Sequence, residues 1–444
     1  MMLFRKDNGR TTLIYKNVAA SFLLKVLAAL VSIVMVPLTL TCLGEYKNGV
    51  WLTISSMLIW IDQMDIGLGN GLRNKLATFV AHEDMGEARK AISSTFAMLI
   101  CIMVPMTLLL SLLVYLTDVY AFFNVIPSLI PELRVVLLTS TILVCLTFVF
   151  KFVGNVYMGL QLPAVNNLIL VSGQALALLL TWLLLRHNVA TFPNVVIANT
   201  AAPLLVFVVA YLVTFYLKYP KLRPAWAFIN FRIALSLGNL GIRFFWLQIA
   251  SVIQFMTANI LISKFFTPAM VTPYQIAYRY FSLVLVAFTV ICMPFWSATT
   301  DAYEKGDKQW LFRVNKRMNM IMGLIALLLL VMVVFSPFLY QLWIGDKCHV
   351  PYQMNVMMAI YIYLLIMSMR YSFFLNGVGA LRLQLYMTVM VVFFIPLAWF
   401  VSSLTHDIIS FMATMCICIA PSILVNKIQF TKILNDNARG IWRR

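Results

Sequence analysis

Apolar runs close to the twenty residues needed to cross a bilayer, separated by short polar breaks, fill the chain almost from end to end. Read on that length they predict twelve helices, the first six at about 18–43, 49–69, 91–116, 132–158, 165–186 and 192–217. The second six are expected at about 233–263, 270–299, 316–343, 352–377, 381–402 and 407–433, with the shortest breaks at 159–163 and 377–379. The first run is too long for a signal-peptide core and lacks a small-residue cleavage site, so it reads as a retained helix.

Composition agrees with that pattern. Of 444 residues, 62% are hydrophobic and only 11% charged, a balance that would leave a soluble protein with far too much exposed apolar surface. The expected class is an all-α polytopic membrane protein. Between the runs, only the stretches at 73–90, 218–232 and 301–318 are sizeable hydrophilic loops, and no extramembrane domain is expected.

A net charge of +18 could signal nucleic acid, but no basic run is joined to a soluble domain, so no nucleic-acid partner is expected. The charge sorts by side instead. With the N-terminus inside, the inner segments hold 24 basic residues, Lys151 counted among them, against Lys47, Arg186, Lys264 and Lys347 outside. Excess Lys and Arg marks the cytoplasmic face, which predicts both termini in the cytoplasm and an even number of helices.

The loop after the second helix reads Ala77-Thr78-Phe79-Val80-Ala81-His82-Glu83 and the loop after the eighth reads Ala298-Thr299-Thr300-Asp301-Ala302-Tyr303-Glu304. A shared Ala-Thr-x-x-Ala-x-Glu in equivalent loops points to duplication of a six-helix unit. Six is even, so the two copies share an orientation and form a parallel repeat about the membrane normal. The expected organisation is a six-helix bundle at 1–217, a cytoplasmic linker at 218–232 and a second bundle at 233–444.

Ionisable groups inside the membrane are costly and are candidates for function. Lys25, Arg134, Arg243, Arg279 and Arg370 fall within expected helices. Arg134 adjoins Glu132, which suggests an interfacial pair. Lys25 and Arg243 lie near the inner ends of their helices, where snorkelling to headgroups is the alternative to a binding role. Arg279 and Arg370 lie deeper, and buried charge of one sign points to a wet cavity for an anion. Asp62 and Asp65, three apart on one helix face, offer a cation or proton site, a gate, or an internal pair with Lys25 or Arg279. Tyr274 and Gln275 beside Arg279 would suit sugar hydroxyls, or else form part of an interfacial aromatic belt.

Other chemistries find no support. The run Gly67-Leu68-Gly69-Asn70-Gly71 ends an expected membrane helix instead of joining strand to helix, so it reads as a hinge and not as a dinucleotide loop. No Gly-Lys pair exists to seed a phosphate loop, the four histidines are isolated, and there is no nucleophile elbow. The seven cysteines are scattered and read as small buried hydrophobes. No enzyme and no cofactor is expected.

The stretch from Tyr46 to Ala77, and above all Asp65 to Asn74, resembles the Wzx-type polysaccharide flippases, which share a superfamily with the MATE multidrug exporters. Val271 to Arg279 and the twelve-helix layout extend the likeness over the chain. The resemblance implies two six-helix bundles around a cationic cavity. It implies a bacterial inner-membrane protein moving an undecaprenyl-pyrophosphate-linked oligosaccharide to the periplasmic leaflet by alternating access. H⁺, Na⁺ or the membrane potential would drive it, and membrane lipids and other polysaccharide-assembly proteins would be its partners, the chain itself a monomer. Site residues carried over are Asp65, Asn70, Arg73 and Arg279, with Lys25 and Arg243. The alternative is a MATE-like cation-coupled multidrug exporter.

Overall fold

A computed structural model describes residues 8–63, 68–231, 233, 257–380, 382–390 and 393–443. The chain divides into two compact units, Met1–Ile249 and Ala250–Arg444. The first holds α1 (Asn8–Gln63), α2 (Leu68–Ala81), α3 (Met85–Leu116), the short α4 (Val119–Phe123), α5 (Leu133–Gly159), α6 (Pro163–Arg186) and α7 (Phe192–Leu212), which runs on as a π-helix over Val213–Lys218. The second holds α8 (257–265), α9 (Pro268–Glu304), α10 (Lys308–Ile344), α11 (Tyr352–Val378), α12 (Arg382–Met390), α13 (Phe394–Thr405) and α14 (Ile408–Leu434).

Eight helical stretches among the described residues are long and apolar enough to cross a membrane. The first, Ala20–Ile61, has 42 residues and is broken at Gly44, whose φ of 69° only glycine adopts without strain. At about 1.5 Å per residue it covers about twice the hydrocarbon thickness, so the break separates two expected spans. Exposed leucines along α3 (Leu108, Leu112 and Leu116) and α10 (Leu324, Leu327 and Leu330) mark lipid-facing stripes.

Several expected boundaries move. The described part of α1 ends at Gln63, residues 64–67 lie outside the described set, and α2 starts at Leu68 and carries Gly69 and Gly71 inside it, with Leu68, Leu72 and Leu76 buried. A leucine every fourth residue gives one apolar face, and that face decides the local structure over the glycines' weak helix propensity. α3 begins at Met85 and α10 at Lys308, earlier than their apolar runs, because Asp84 and Asp307 cap them by accepting from the amides of Glu87 and Trp310. The expected helix at 381–402 is built as α12 and α13.

The loop motif has a physical reading. Asp84 N–H donates back to Phe79 O at 2.9 Å and Asp307 N–H to Ala302 O at 2.9 Å, closing the same turn around left-handed Glu83 and Gly306. Asp84 thus matches Asp307, two residues out of the Ala-Thr-x-x-Ala-x-Glu alignment. The same closure follows α5 at Leu162, α6 at Val189 and α14 at Asn437, so it is a general helix-ending device in this chain.

Helices in lipid gain little from burying apolar surface and pack where small residues let backbones approach. A Cβ on Gly173 of α6 would lie 3.2 Å from Pro203 Cα of α7, and one on Gly159 of α5 would lie 2.9 Å from the Leu76 side chain of α2. Phe96, Phe152, Tyr211 and Phe215 stack across α3, α5 and α7, centroids 4.8–6.2 Å apart.

Candidate functional site

The first unit contains a cavity of about 350 Å³ walled by the second half of α1 and by α5, α6 and α7. Its polar lining is Ser55, Thr147, Lys151, Gln174, Asn199 and Thr200, with Trp51 and Phe207 supplying aromatic surface. The Gly173–Pro203 approach forms part of its wall. Among the described residues lining it there is one cation and no carboxylate. Asn199 is fixed by its Nδ2, which donates to Thr181 Oγ1 at 3.1 Å and Val195 O at 2.8 Å. Its Oδ1 accepts from no described group. A volume of this size suits part of a small organic ligand.

Lys151, counted above among the inner-side basic residues, also falls within the helix expected at 132–158. It lies inside α5, eight residues before Gly159, at a depth of about 12 Å along the helix. A charge near the end of an apolar run looks like loop in a residue count. Its helical phase was readable, since Val144, Thr147 and Lys151 follow each other on one face and all three line the cavity. Gln174 and Asn199 were also visible as lone amides in apolar runs.

The second unit holds its intramembrane cation differently. Arg370 on α11 is buried, 8% exposed, and lines a cavity of only about 40 Å³ with Cys292, Asn315, Tyr371, Phe374 and Phe430. Its Nη2 donates to Asn315 Oδ1 at 2.5 Å, and its guanidinium sits 5.1 Å from the Tyr371 ring centroid. Among the described residues no carboxylate pairs with it. The burial expected of Arg370 is present, and the space around it within the second unit has room for a water or two.

The other expected site residues belong to both units and are placed within each. Arg279 is partly exposed on α9 and lines neither of these cavities. Tyr274 is buried with its hydroxyl on Met415 Sδ at 3.7 Å, and Gln275 Nε2 donates to Asn259 Oδ1 at 2.7 Å, so both are engaged inside the second unit. Lys25 is exposed on α1 and Arg73 is exposed on α2. Asp62 falls in the last turn of α1 and Asn70 in the first turn of α2, while Asp65 and Arg243 lie outside the described residues. Arg134 donates to Thr117 O at 3.3 Å instead of forming the expected pair with Glu132.

No family model matches the chain. Among curated proteins it is similar to one from Salmonella typhi named "Putative O-antigen transporter", 23% identical over 378 residues, which cover 82% of this chain and 83% of the relative. Among solved structures it is similar to the inward-facing conformation of a multidrug resistance MATE family transporter of the MOP superfamily. That match has a TM-score of 0.76 at 14% identity and covers 93% of this chain and 96% of the other. The outward-facing conformation of such a transporter matches with a TM-score of 0.61 at 14% identity, over 95% and 94%. The chain therefore shares the fold of these transporters and is an integral membrane protein. These relatives are transporters and not enzymes, and the resemblance to the Wzx-type flippases within that superfamily stands.

Proposed function

We propose that the chain is a flippase for a lipid-linked oligosaccharide, carrying an undecaprenyl-pyrophosphate-linked repeat unit from the cytoplasmic to the periplasmic leaflet of a bacterial inner membrane by alternating access. The observation that carries this reading is the chemistry of the Lys151 cavity: a cation, two amides, three hydroxyls and two aromatic rings, with no carboxylate among the described lining. Lysine binds phosphate as a point charge, and amides, hydroxyls and aromatic faces suit sugar. The name of the curated relative supports the same cargo class.

In this reading both termini face the cytoplasm and the polyprenyl tail stays in lipid while the headgroup crosses. Arg279 and, less directly, Lys25, Arg243 and Arg370 add positive potential, and Asp62, Asp65, Asn70 and Arg73 serve closure or coupling. An inside-negative potential favours outward movement of negative charge by about 2.3 kcal/mol per charge per 100 mV, hence roughly 4–5 kcal/mol for two. Such a gain makes an ATP site unnecessary.

The test is surface polysaccharide in a strain whose only copy carries Lys151→Gln. Export falls by about tenfold or more at unchanged protein level, whereas Lys151→Arg, which keeps the charge, retains most of it. Full export with the glutamine removes Lys151 from the cargo path. A MATE-like exporter of cationic drugs needs carboxylates facing its cargo, which the described wall lacks; drug sensitivity of the deletion strain with normal surface glycan would favour that rival.

A further inference from the structure

The segment after α7 is a built surface of its own. From Val213 to Phe231 the chain carries Lys218, Lys221 and Arg223 and no acid, and all three basic residues are exposed. It is held in shape on the first turns of α3. Arg89 Nε donates to Arg223 O at 2.9 Å, Ala225 N–H donates to Ser93 Oγ at 3.1 Å, and Asn230 N–H donates to Ser94 Oγ at 2.8 Å. The Arg89 guanidinium lies 4.2 Å from the Phe228 ring centroid, and that of Arg223 lies 4.4 Å from Tyr216.

Beneath this strap is an apolar slot of about 130 Å³ between Phe96, Ala97 and Ile100 of α3, Tyr211 of α7, and Trp226 and Ile229 of the strap. Trp226 is 84% exposed, the most exposed large apolar side chain in the chain's described residues, and it lies outside any membrane-spanning helix. Leu217, at the end of the π-helix, is 76% exposed. An indole at that position sits where tryptophan is favoured, at the level of the headgroups.

We infer that this strap and slot bind one anionic phospholipid of the adjacent leaflet, with its phosphate on Lys218, Lys221 and Arg223 and an acyl chain entering between α3, Tyr211 and Trp226. Charge decides the class of occupant: three exposed cations without a nearby acid on the strap attract an anionic headgroup and give no reason to hold a zwitterionic one. The apolar slot on the same strap, lined by Pro224 and Ala225 next in sequence to Arg223, decides against a soluble anion. The slot shares no lining residue with the Lys151 cavity and does not depend on which cargo that cavity takes.

The full-length protein, extracted and offered equal amounts of phosphatidylglycerol and phosphatidylcholine, is read by native mass spectrometry for retained lipid. One phosphatidylglycerol is expected to stay bound in preference. Each basic side chain near a membrane surface is worth about a fivefold preference, so Lys218→Gln/Lys221→Gln lowers retention by roughly twentyfold. That variant leaves Arg223 and the backbone bonds to α3 in place, which guards against a merely misfolded strap. Trp226→Ala weakens retention without altering the thermal unfolding midpoint, and Arg313→Gln/Arg317→Gln, basic residues of the second unit, leaves it unchanged. Equal retention of the two lipids, undiminished retention in the double variant, or capture confined to a polyprenyl pyrophosphate would each overturn the assignment.

Discussion

Lys151 and Arg370 occupy corresponding depths in their own units, each eight residues before the last residue of its helix, 151 against Gly159 and 370 against Val378. Their surroundings are opposite. Lys151 faces about 350 Å³ walled by amides and hydroxyls from four helices, whereas Arg370 fits about 40 Å³ and spends a donor on Asn315. Burial of a cation is therefore not enough to make a site. Space separates the two positions: the lysine adjoins a roomy wall of polar side chains, and the arginine fills most of the room it has.

The sharpest way to break that contrast is to remove Asn315. Asn315→Leu leaves a guanidinium among aromatic and aliphatic groups without its acceptor, a loss of about 3 kcal/mol as expected for a buried charge deprived of its partner. Arg370→Met removes the charge along with its need and costs about 1 kcal/mol. Thermal unfolding of the purified protein gives the order, Asn315→Leu the less stable, with export falling only as protein level falls. If Arg370→Met is as stable as the parent and yet exports nothing, Arg370 meets cargo and the two regions are alike in kind.

The same contrast explains what could be read from sequence. Apolar runs reveal spans because length and hydropathy are local properties, and Arg370 was recognisable as buried from its place within such a run. Its partner was not, because Asn315 lies on another helix and nothing in the intervening sequence ties the two together. Lys151 was visible as a charge, but a count of charges by side ignores helical phase, which sets it beside Thr147 in one wall. The part of the glycine run from Leu68 onward is helical, against its composition. Its composition suggests a break, while Leu68, Leu72 and Leu76 pack a face that holds α2 together. Cavities arise from how helices cross, and Gly173 against Pro203 is a contact that no single run announces.

That crossing allows a second, smaller perturbation. Gly173→Ala places a methyl 3.2 Å from Pro203 Cα, and a backbone neighbour cannot swing aside. It should cost about 1 kcal/mol or more by overpacking and move α6 away from α7. Gly323→Ala in α10, where nothing lies within 4 Å, is the control and should not destabilise. A several-fold loss of export is expected from the first and none from the second, measured against folded protein. Equal behaviour would mean that the cavity tolerates a change in its wall and that its shape does not select cargo.

The smallest effect is the most discriminating. Asn199→Ala removes two internal hydrogen bonds, to Thr181 and Val195, and should lower stability by about 1–2 kcal/mol. Gln174, exposed in the cavity wall and bonded to no described group, has no such duty. Gln174→Ala should therefore leave the unfolding midpoint unchanged and weaken apparent cargo affinity by about fivefold, the worth of one hydrogen bond to a ligand. Flipping assayed in proteoliposomes over a range of cargo concentration separates affinity from rate. Should Gln174→Ala instead lower the unfolding midpoint with affinity intact, the glutamine belongs to the packing. The distinction between the lysine's surroundings and the arginine's would then reduce to volume alone.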